Sequence, residues 1–103
     1  MNQFGLTDKY IRLIQSVFWV YPEIETAWIY GSRARGDEKK FSDADLAIDV
    51  RGLDYAQYVE ILARLRDLPI PYEIDLVNLA DLKNAELKKN ILRERKVFYQ
   101  KDK

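Results

Sequence analysis

Residues 26–36 read Thr-Ala-Trp-Ile-Tyr-Gly-Ser-Arg-Ala-Arg-Gly, and they predict a strand that runs into a tight turn. The first five residues are rich in aromatic and β-branched side chains, which is typical of a buried strand. Gly31 stops this strand, because glycine lets the backbone turn sharply and approach a ligand closely. Ser32 offers a backbone N–H and a hydroxyl, and a helical turn beginning there would add further free N–H groups. The stretch therefore predicts a turn that can accept a phosphate.

Three carboxylates follow this turn on two further predicted strands. Asp43 and Asp45 lie two residues apart in the alternating strand Asp43–Val50, so they share one face and lie about 7 Å apart. Asp75 lies within the apolar strand Tyr72–Val77, where an ionised carboxylate is costly unless it is compensated. Hard oxygen ligands this close together favour a divalent cation. Three of them suit a pair of Mg²⁺ ions, an arrangement used for displacement at phosphorus.

Basic residues close to the turn complete the predicted phosphate site. Arg33 and Arg35 lie shortly after Ser32, and their guanidinium groups could balance the charge of a triphosphate. A P-loop is a poor alternative because no Gly-Lys-Ser/Thr sequence is present, and the glycine and glutamate of an EF-hand are not in register.

The composition limits the chemistry and the setting. The 103 residues suffice for a single domain, residues 1–103, and they include no His and no Cys, which excludes imidazole bases, thiol nucleophiles and zinc sites. The net charge is zero, with 17 acidic and 17 basic residues, so no direct nucleic-acid binding is expected. No apolar stretch approaches a membrane span and no signal pattern begins the chain, so we expect a cytoplasmic protein without membrane contact.

The remaining elements are predicted from hydrophobic periodicity and from the residues that typically begin and end helices and strands. The predicted order is α-β-β-α-β-α-β. Apolar residues at helical spacing predict three helices: Thr7–Val20, one beginning at Asp54, and Asn84–Arg93. A short edge strand is predicted at Val97–Tyr99.

The motif resembles that of the DNA-polymerase-β-like nucleotidyltransferases. Gly31-Ser32, ten intervening residues and then Asp43-x-Asp45 match the superfamily signature. The runs 30–36, 42–48, 73–77 and 91–99 are similar to the minimal nucleotidyltransferase (MNT) branch, so the resemblance covers nearly the whole chain. One departure is Arg95, where that branch often has Gly; a position needing a positive φ would be strained by Arg.

The resemblance implies an α+β fold like the polymerase-β palm, with a small mixed sheet and helices packed on one side. It implies ATP as the nucleotide donor and Mg²⁺ as the cofactor. Gly31 and Ser32 would hold phosphate, Asp43 and Asp45 would bind metal, and Asp75 would act as the third acid on the incoming hydroxyl. It also implies a hetero-oligomer with a helical HEPN-family protein, a toxin that the MNT protein neutralises.

Three functions remain open on this basis. The first is transfer of AMP from ATP to an acceptor hydroxyl, most readily a Tyr of the HEPN-type partner. The second is a non-catalytic antitoxin that docks on its partner, for which residues 83–103 offer a basic surface with eight Lys/Arg against three acids. The third is transfer to a small molecule such as an aminoglycoside.

Overall fold

The main feature of the structure is a mixed four-stranded sheet. The computed structural model describes residues 2–101 of the chain. Its helices are α1 Asp8–Trp19, α2 Ser32–Arg35, α3 Tyr55–Arg66 and α4 Ala85–Glu94. Its strands are β1 Asn2–Gln3, β2 Leu6–Thr7, β3 Thr26–Tyr30, β4 Ala44–Ile48, β5 Ile74–Asn78 and β6 Lys96–Gln100. The sheet order is β5-β4-β3-β6, with β4 and β5 parallel and the other neighbours antiparallel, which confirms the predicted α+β class and mixed sheet.

The three longer helices begin at side-chain caps. The Asp54 carboxylate accepts a hydrogen bond from Gln57 N at 2.7 Å, and Asn84 Oδ1 accepts one from Leu87 N at 3.0 Å. Thr7 Oγ1 caps α1 in the same way, so the predicted helix starts at Thr7 and Asp54 are confirmed. None of the helices between residues 2 and 101 combines enough length and apolarity to cross a bilayer.

The larger core lies between one face of the sheet and helices α1 and α3. Leu46 and Ile48 of β4 point into it and are fully buried. Helix α1 contributes Phe18 and helix α3 contributes Ile61, both also fully buried. These side chains fix the position of β4, and therefore of Asp45 on its opposite face.

The fourth helix packs on the other face of the sheet. Ala47 points away from Leu46 and Ile48, and it is buried in a second cluster with Ile91 of α4 and Leu79. The prediction that all helices pack on one side is therefore wrong. The physical reason is that α4 has its own apolar stripe, which finds a partner in the face that carries Ala47.

Two features of the fold were not foreseen. Strands β1 and β2 form a two-residue hairpin through Phe4 (φ 59°) and Gly5 (φ 72°), which is too short to leave a periodic signal. The outer edge of β5 is covered by α3, because Tyr58 Oη donates to Leu76 O and Arg66 Nε donates to Ile74 O at 3.1 Å. Satisfying these carbonyl groups protects an otherwise open sheet edge.

Arg95 is accommodated without strain. It has φ −63° and ψ 145°, an extended conformation open to any residue, so this position does not require glycine. Its guanidinium carbon lies 4.2 Å from the centre of the Trp28 ring, a cation–π contact on the face that α4 covers.

Candidate active site

Two of the predicted acids lie side by side on adjacent strands, and with Tyr30 they form what we call the acidic row. Asp45 of β4 is the register partner of Tyr30 on β3 and of Asp75 on β5. Register partners point to the same face of a sheet, so the three side chains are neighbours on one face. Asp43 is exposed immediately before β4, two residues ahead of Asp45, and the alternation of the strand directs it to the same side. The backbone register therefore brings Asp45 and Asp75 together on one face, while Asp43 precedes the paired residues.

The centre of this row has uncompensated negative charge. The pKa of Asp45 is raised, first by burial and then by the charges of Asp75 and Asp43. Arg33 and Arg35 act in the opposite direction without cancelling the rise. A carboxylate in this situation is stabilised by any added positive charge, which is the electrostatic condition for cation binding.

Tyr30 is a member of the row that sequence reasoning did not single out. Burial, followed by the charges of Asp45 and Asp75, raises its pKa to about 12. The phenol therefore stays protonated at neutral pH and can donate a hydrogen bond at the edge of the acidic row. Its position at the end of β3, directly before the glycine turn, was the signal that could have identified it.

Gly31 brings the turn into contact with the acidic row. It has φ 75° and ψ −153°, a conformation that is essentially restricted to glycine. A Cβ atom at this position would lie 2.7 Å from Asp45 Oδ2. Helix α2 begins at Ser32, as the sequence predicted for one helical turn, and its first N–H groups have no partner within the helix. The turn is therefore placed beside Asp45, where a phosphate bound to Ser32 would meet the acidic row.

Arg33 has a different role from the one predicted for it. Its side chain is only 2% exposed, so the guanidinium is enclosed by protein. Nε and Nη2 donate to Ser42 O at 3.1 and 2.7 Å, and Nη1 donates to Phe4 O at 3.0 Å. The guanidinium carbon also lies 4.6 Å from the centre of the Tyr72 ring. We therefore correct the phosphate-binding prediction for Arg33: it ties the residue before Asp43 to the N-terminal hairpin.

The substitution Arg33→Lys tests this structural role. We expect it to lower the free energy of unfolding by about 2 kcal/mol. An ammonium group cannot reproduce the planar set of guanidinium donors, so partly buried carbonyl groups of Ser42 and Phe4 lose hydrogen bonds. Urea denaturation measures the effect, with Arg12→Lys on the exposed side of α1 as the matched control. Unchanged stability together with weaker ATP binding would restore the original phosphate-binding role.

Arg35 remains available to a phosphate. Its side chain is 47% exposed and makes ion pairs with Asp37 at 3.1 Å and with Glu94 at 3.2 Å. Exposed pairs of this kind contribute about 0–1 kcal/mol, so they can be exchanged for an anionic ligand. Arg35 therefore stays a proposed phosphate-binding residue.

Asp75 is paired with a cation from the protein itself. Arg66 Nη2 donates to Asp75 Oδ1 at 2.7 Å, and both side chains are about half exposed, at 49% and 45%. Within residues 2–101, no group of three acidic, His or Cys side chains lies close enough together to hold a metal ion. The carboxylate chemistry nevertheless fits a hard divalent cation. Asp43 and Asp45 could hold the cation. Asp75 could become a third ligand by exchanging its weak ion pair with Arg66 for the cation.

A glycine turn beside carboxylates on one sheet face is an arrangement suited to nucleotidyl transfer. Residues 12–103 match the polymerase beta nucleotidyltransferase family, so the chain belongs to that family and is a nucleotidyltransferase. It is 27% identical over 79 residues to the "Probable protein adenylyltransferase MntA" of Haemophilus influenzae, covering 76% of this chain and 69% of that protein.

Two solved structures share the fold. One is a toxin–antitoxin crystal structure with AMP-PNP, with a TM-score of 0.68, 22% identity, and coverage of 92% of this chain and 73% of the other. The second is the toxin–antitoxin MntA-HepT, with a TM-score of 0.68, 18% identity, and coverage of 92% and 74%. These likenesses confirm the predicted nucleotidyltransferase fold.

Proposed function

We propose that this protein is an Mg²⁺-dependent adenylyltransferase that moves AMP from ATP to a tyrosine of a HEPN-type toxin partner. The observation that carries the proposal is the position of Asp45, which lies between the Gly31 turn and Asp75 on one sheet face. Support for the acceptor comes from the similar protein named a protein adenylyltransferase and from the shared fold of the MntA-HepT pair. The single domain of residues 1–103, acting in the cytoplasm, is part of the same proposal.

Each residue of the site would have its own role in the transfer. Ser32, reached through the Gly31 turn, would bind the departing phosphates, and Arg35 would balance their charge. Asp43, Asp45 and Asp75 would hold a pair of Mg²⁺ ions, which when bound neutralise the triphosphate and lower the pKa of the acceptor hydroxyl.

The transfer itself is a single exchange at phosphorus. The acceptor oxygen forms a bond to the α-phosphorus while the bond from that phosphorus to the bridging oxygen breaks, and diphosphate leaves. Asp75 would take the proton of the acceptor hydroxyl. AMP is then joined to the acceptor through a phosphodiester bond.

Intact-protein mass spectrometry of the toxin tests this function. We expect the toxin, incubated with this protein, ATP and Mg²⁺, to gain the mass of AMP, and a Tyr→Phe toxin variant to gain none. An unmodified toxin in a stable complex with this protein would contradict the proposal.

The second candidate is a docking antitoxin without transfer. Leu92 and Val97 are 47% and 55% exposed within the basic segment that ends the chain, which favours a protein contact there. Neutralisation of the toxin by an Asp45→Asn variant, with no mass gain in any sample, would establish this function instead.

A further inference from the structure

A pocket of about 320 Å³ opens between the start of α3 and the C-terminal half of β5. The first turn of α3, strand β5 and the turn after it form its walls. Val77 lines the pocket and lies two residues beyond Asp75 on the same face of the strand. Tyr58 of α3 also lines the pocket. The pocket and Asp75 are therefore related through Val77, along one face of β5.

The pocket is preformed and mostly apolar. Tyr58 is held by its hydrogen bond to Leu76 O. The Asn78 side chain is fixed by bonds to Val50 N and Val50 O, both at 2.9 Å. Asp81 lies at the rim, 3.3 Å from Asn78 Nδ2, and supplies a carboxylate. A rigid apolar pocket of this size with few polar groups is suited to one small ring.

One wall of the pocket is an aromatic side chain that the fold does not use. Tyr55 is 79% exposed, although it is a large ring on the first turn of α3. It stacks on Tyr58 with the ring centres 6.2 Å apart and the planes 28° from parallel. An exposed ring of this kind contributes little to folding and is available to pack against a second aromatic group.

The order of the strands indicates which substrate would lie in this pocket. In an in-line displacement, the attacking and leaving oxygens lie on opposite sides of the phosphorus. Ser32, at the end of β3, would bind the leaving diphosphate, while Asp45 lies on β4, the next strand. The attacking hydroxyl must then approach from the β5 side, over Asp75. The pocket lies on that side, and the Asp81 carboxylate at its rim repels phosphate and can accept a hydrogen bond from a main-chain N–H.

We propose that this pocket is the acceptor subsite, and that it binds the aromatic ring of the tyrosine that receives AMP. The proposal rests on the proposed function, because it assumes transfer to a protein tyrosine. Tyr55 and Tyr58 would stack on the ring, and Val77 would form the floor that leads to Asp75. The subsite gives this small domain a direct means of selecting a phenol over an aliphatic hydroxyl.

Binding of a small phenol tests the subsite independently of transfer. The probe is N-acetyl-L-tyrosinamide, added to the ¹⁵N-labelled full chain with adenosine as the competing probe. We expect amide shifts from the tyrosinamide to concentrate at Tyr55, Val77, Asn78 and Leu82. In Tyr55→Ala these shifts should weaken about 2- to 10-fold, the range expected for one aromatic contact. Trp19→Ala is the matched control, since Trp19 is 64% exposed at the end of α1.

Each outcome decides between the proposals. Shifts at the pocket that depend on Tyr55 but not on Trp19 support the acceptor subsite, even if no transfer to the toxin is found. Shifts from adenosine alone at the pocket would overturn it and identify a nucleobase site. If neither probe shifts the amide signals of the pocket, the acceptor-subsite proposal is also overturned. Transfer of AMP to the toxin is measured separately and does not depend on this result.

Discussion

Asp45→Asn is expected to lower the rate of AMP transfer by about 10³-fold or more, the effect of removing a central group that stabilises transferring charge. Asp45 lies between the two sides of the site, since a Cβ atom at Gly31 would be 2.7 Å from its Oδ2 and Asp75 is its register partner. The amide keeps the shape of the side chain but removes the charge that favours a cation. The rate of toxin modification under saturating ATP measures the effect.

The same substitution should stabilise the metal-free fold. Burial and the two neighbouring carboxylates raise the folded-state pKa of Asp45, so ionising this group is harder in the folded protein than in the unfolded chain. Its favourable contribution is therefore fully present below the unfolded pKa and is lost as the pH rises through the folded pKa. At pH 7 in EDTA we expect a higher melting temperature for Asp45→Asn, with the difference fading in acid.

Asp49→Asn is the matched control for both effects, since Asp49 is exposed just beyond β4. It should change neither rate nor melting temperature appreciably. A fully active Asp45→Asn variant, or one that melts lower than wild type without metal, would show that Asp45 is not a cation ligand held at an electrostatic cost.

Gly31→Ala is expected to have the second largest effect, lowering transfer by more than about 10²-fold and the free energy of unfolding by about 1–3 kcal/mol. The backbone conformation at Gly31 is unfavourable for any side chain, and the added Cβ would lie 2.7 Å from Asp45 Oδ2. Relief of this contact requires the turn or the carboxylate to move, so that Ser32 and Asp45 no longer converge. Kinetic assays and urea denaturation measure the two parts of the effect.

Gly52→Ala separates backbone strain from the loss of the site. Gly52 also has a positive φ, 81°, but a Cβ there would meet no atom within 4 Å. We expect this control to lose some stability and to keep its rate of transfer. Equal losses of activity in the two variants would mean that the Gly31 turn does not position the site.

The sequence predicted those parts of the fold that depend on local chemistry. Strand β3 was assigned with its observed bounds, because aromatic and β-branched residues end at a glycine whose positive φ confirms the turn. The start of α3 followed from Asp54, which caps the helix through Gln57 N. The shared face of Asp45 and Asp75 required only strand alternation and the adjacency of two strands.

The wrong predictions concern where a side chain points and on which sheet face a helix packs, which the order of residues along the chain does not specify. Arg33 and Arg35 appear equivalent in the sequence, but two residues on a helical turn point differently, and Arg33 is buried against carbonyl groups. The ion pair between Arg66 and Asp75 forms where the end of α3 packs beside β5. This packing is a tertiary contact, so the sequence pattern alone did not predict the pair. The side on which α4 packs likewise depended on which sheet face was left open.

Labelled ATP tests the central claim most directly. ATP carrying ³²P at the α-position or at the γ-position is incubated with this protein, Mg²⁺ and the HEPN-type toxin, and the toxin is then separated and counted. We predict label from α-labelled ATP only, present with Asp49→Asn and absent with Asp45→Asn. Label from γ-labelled ATP, or α-label that persists in Asp45→Asn, would contradict nucleotidyl transfer at this acidic row.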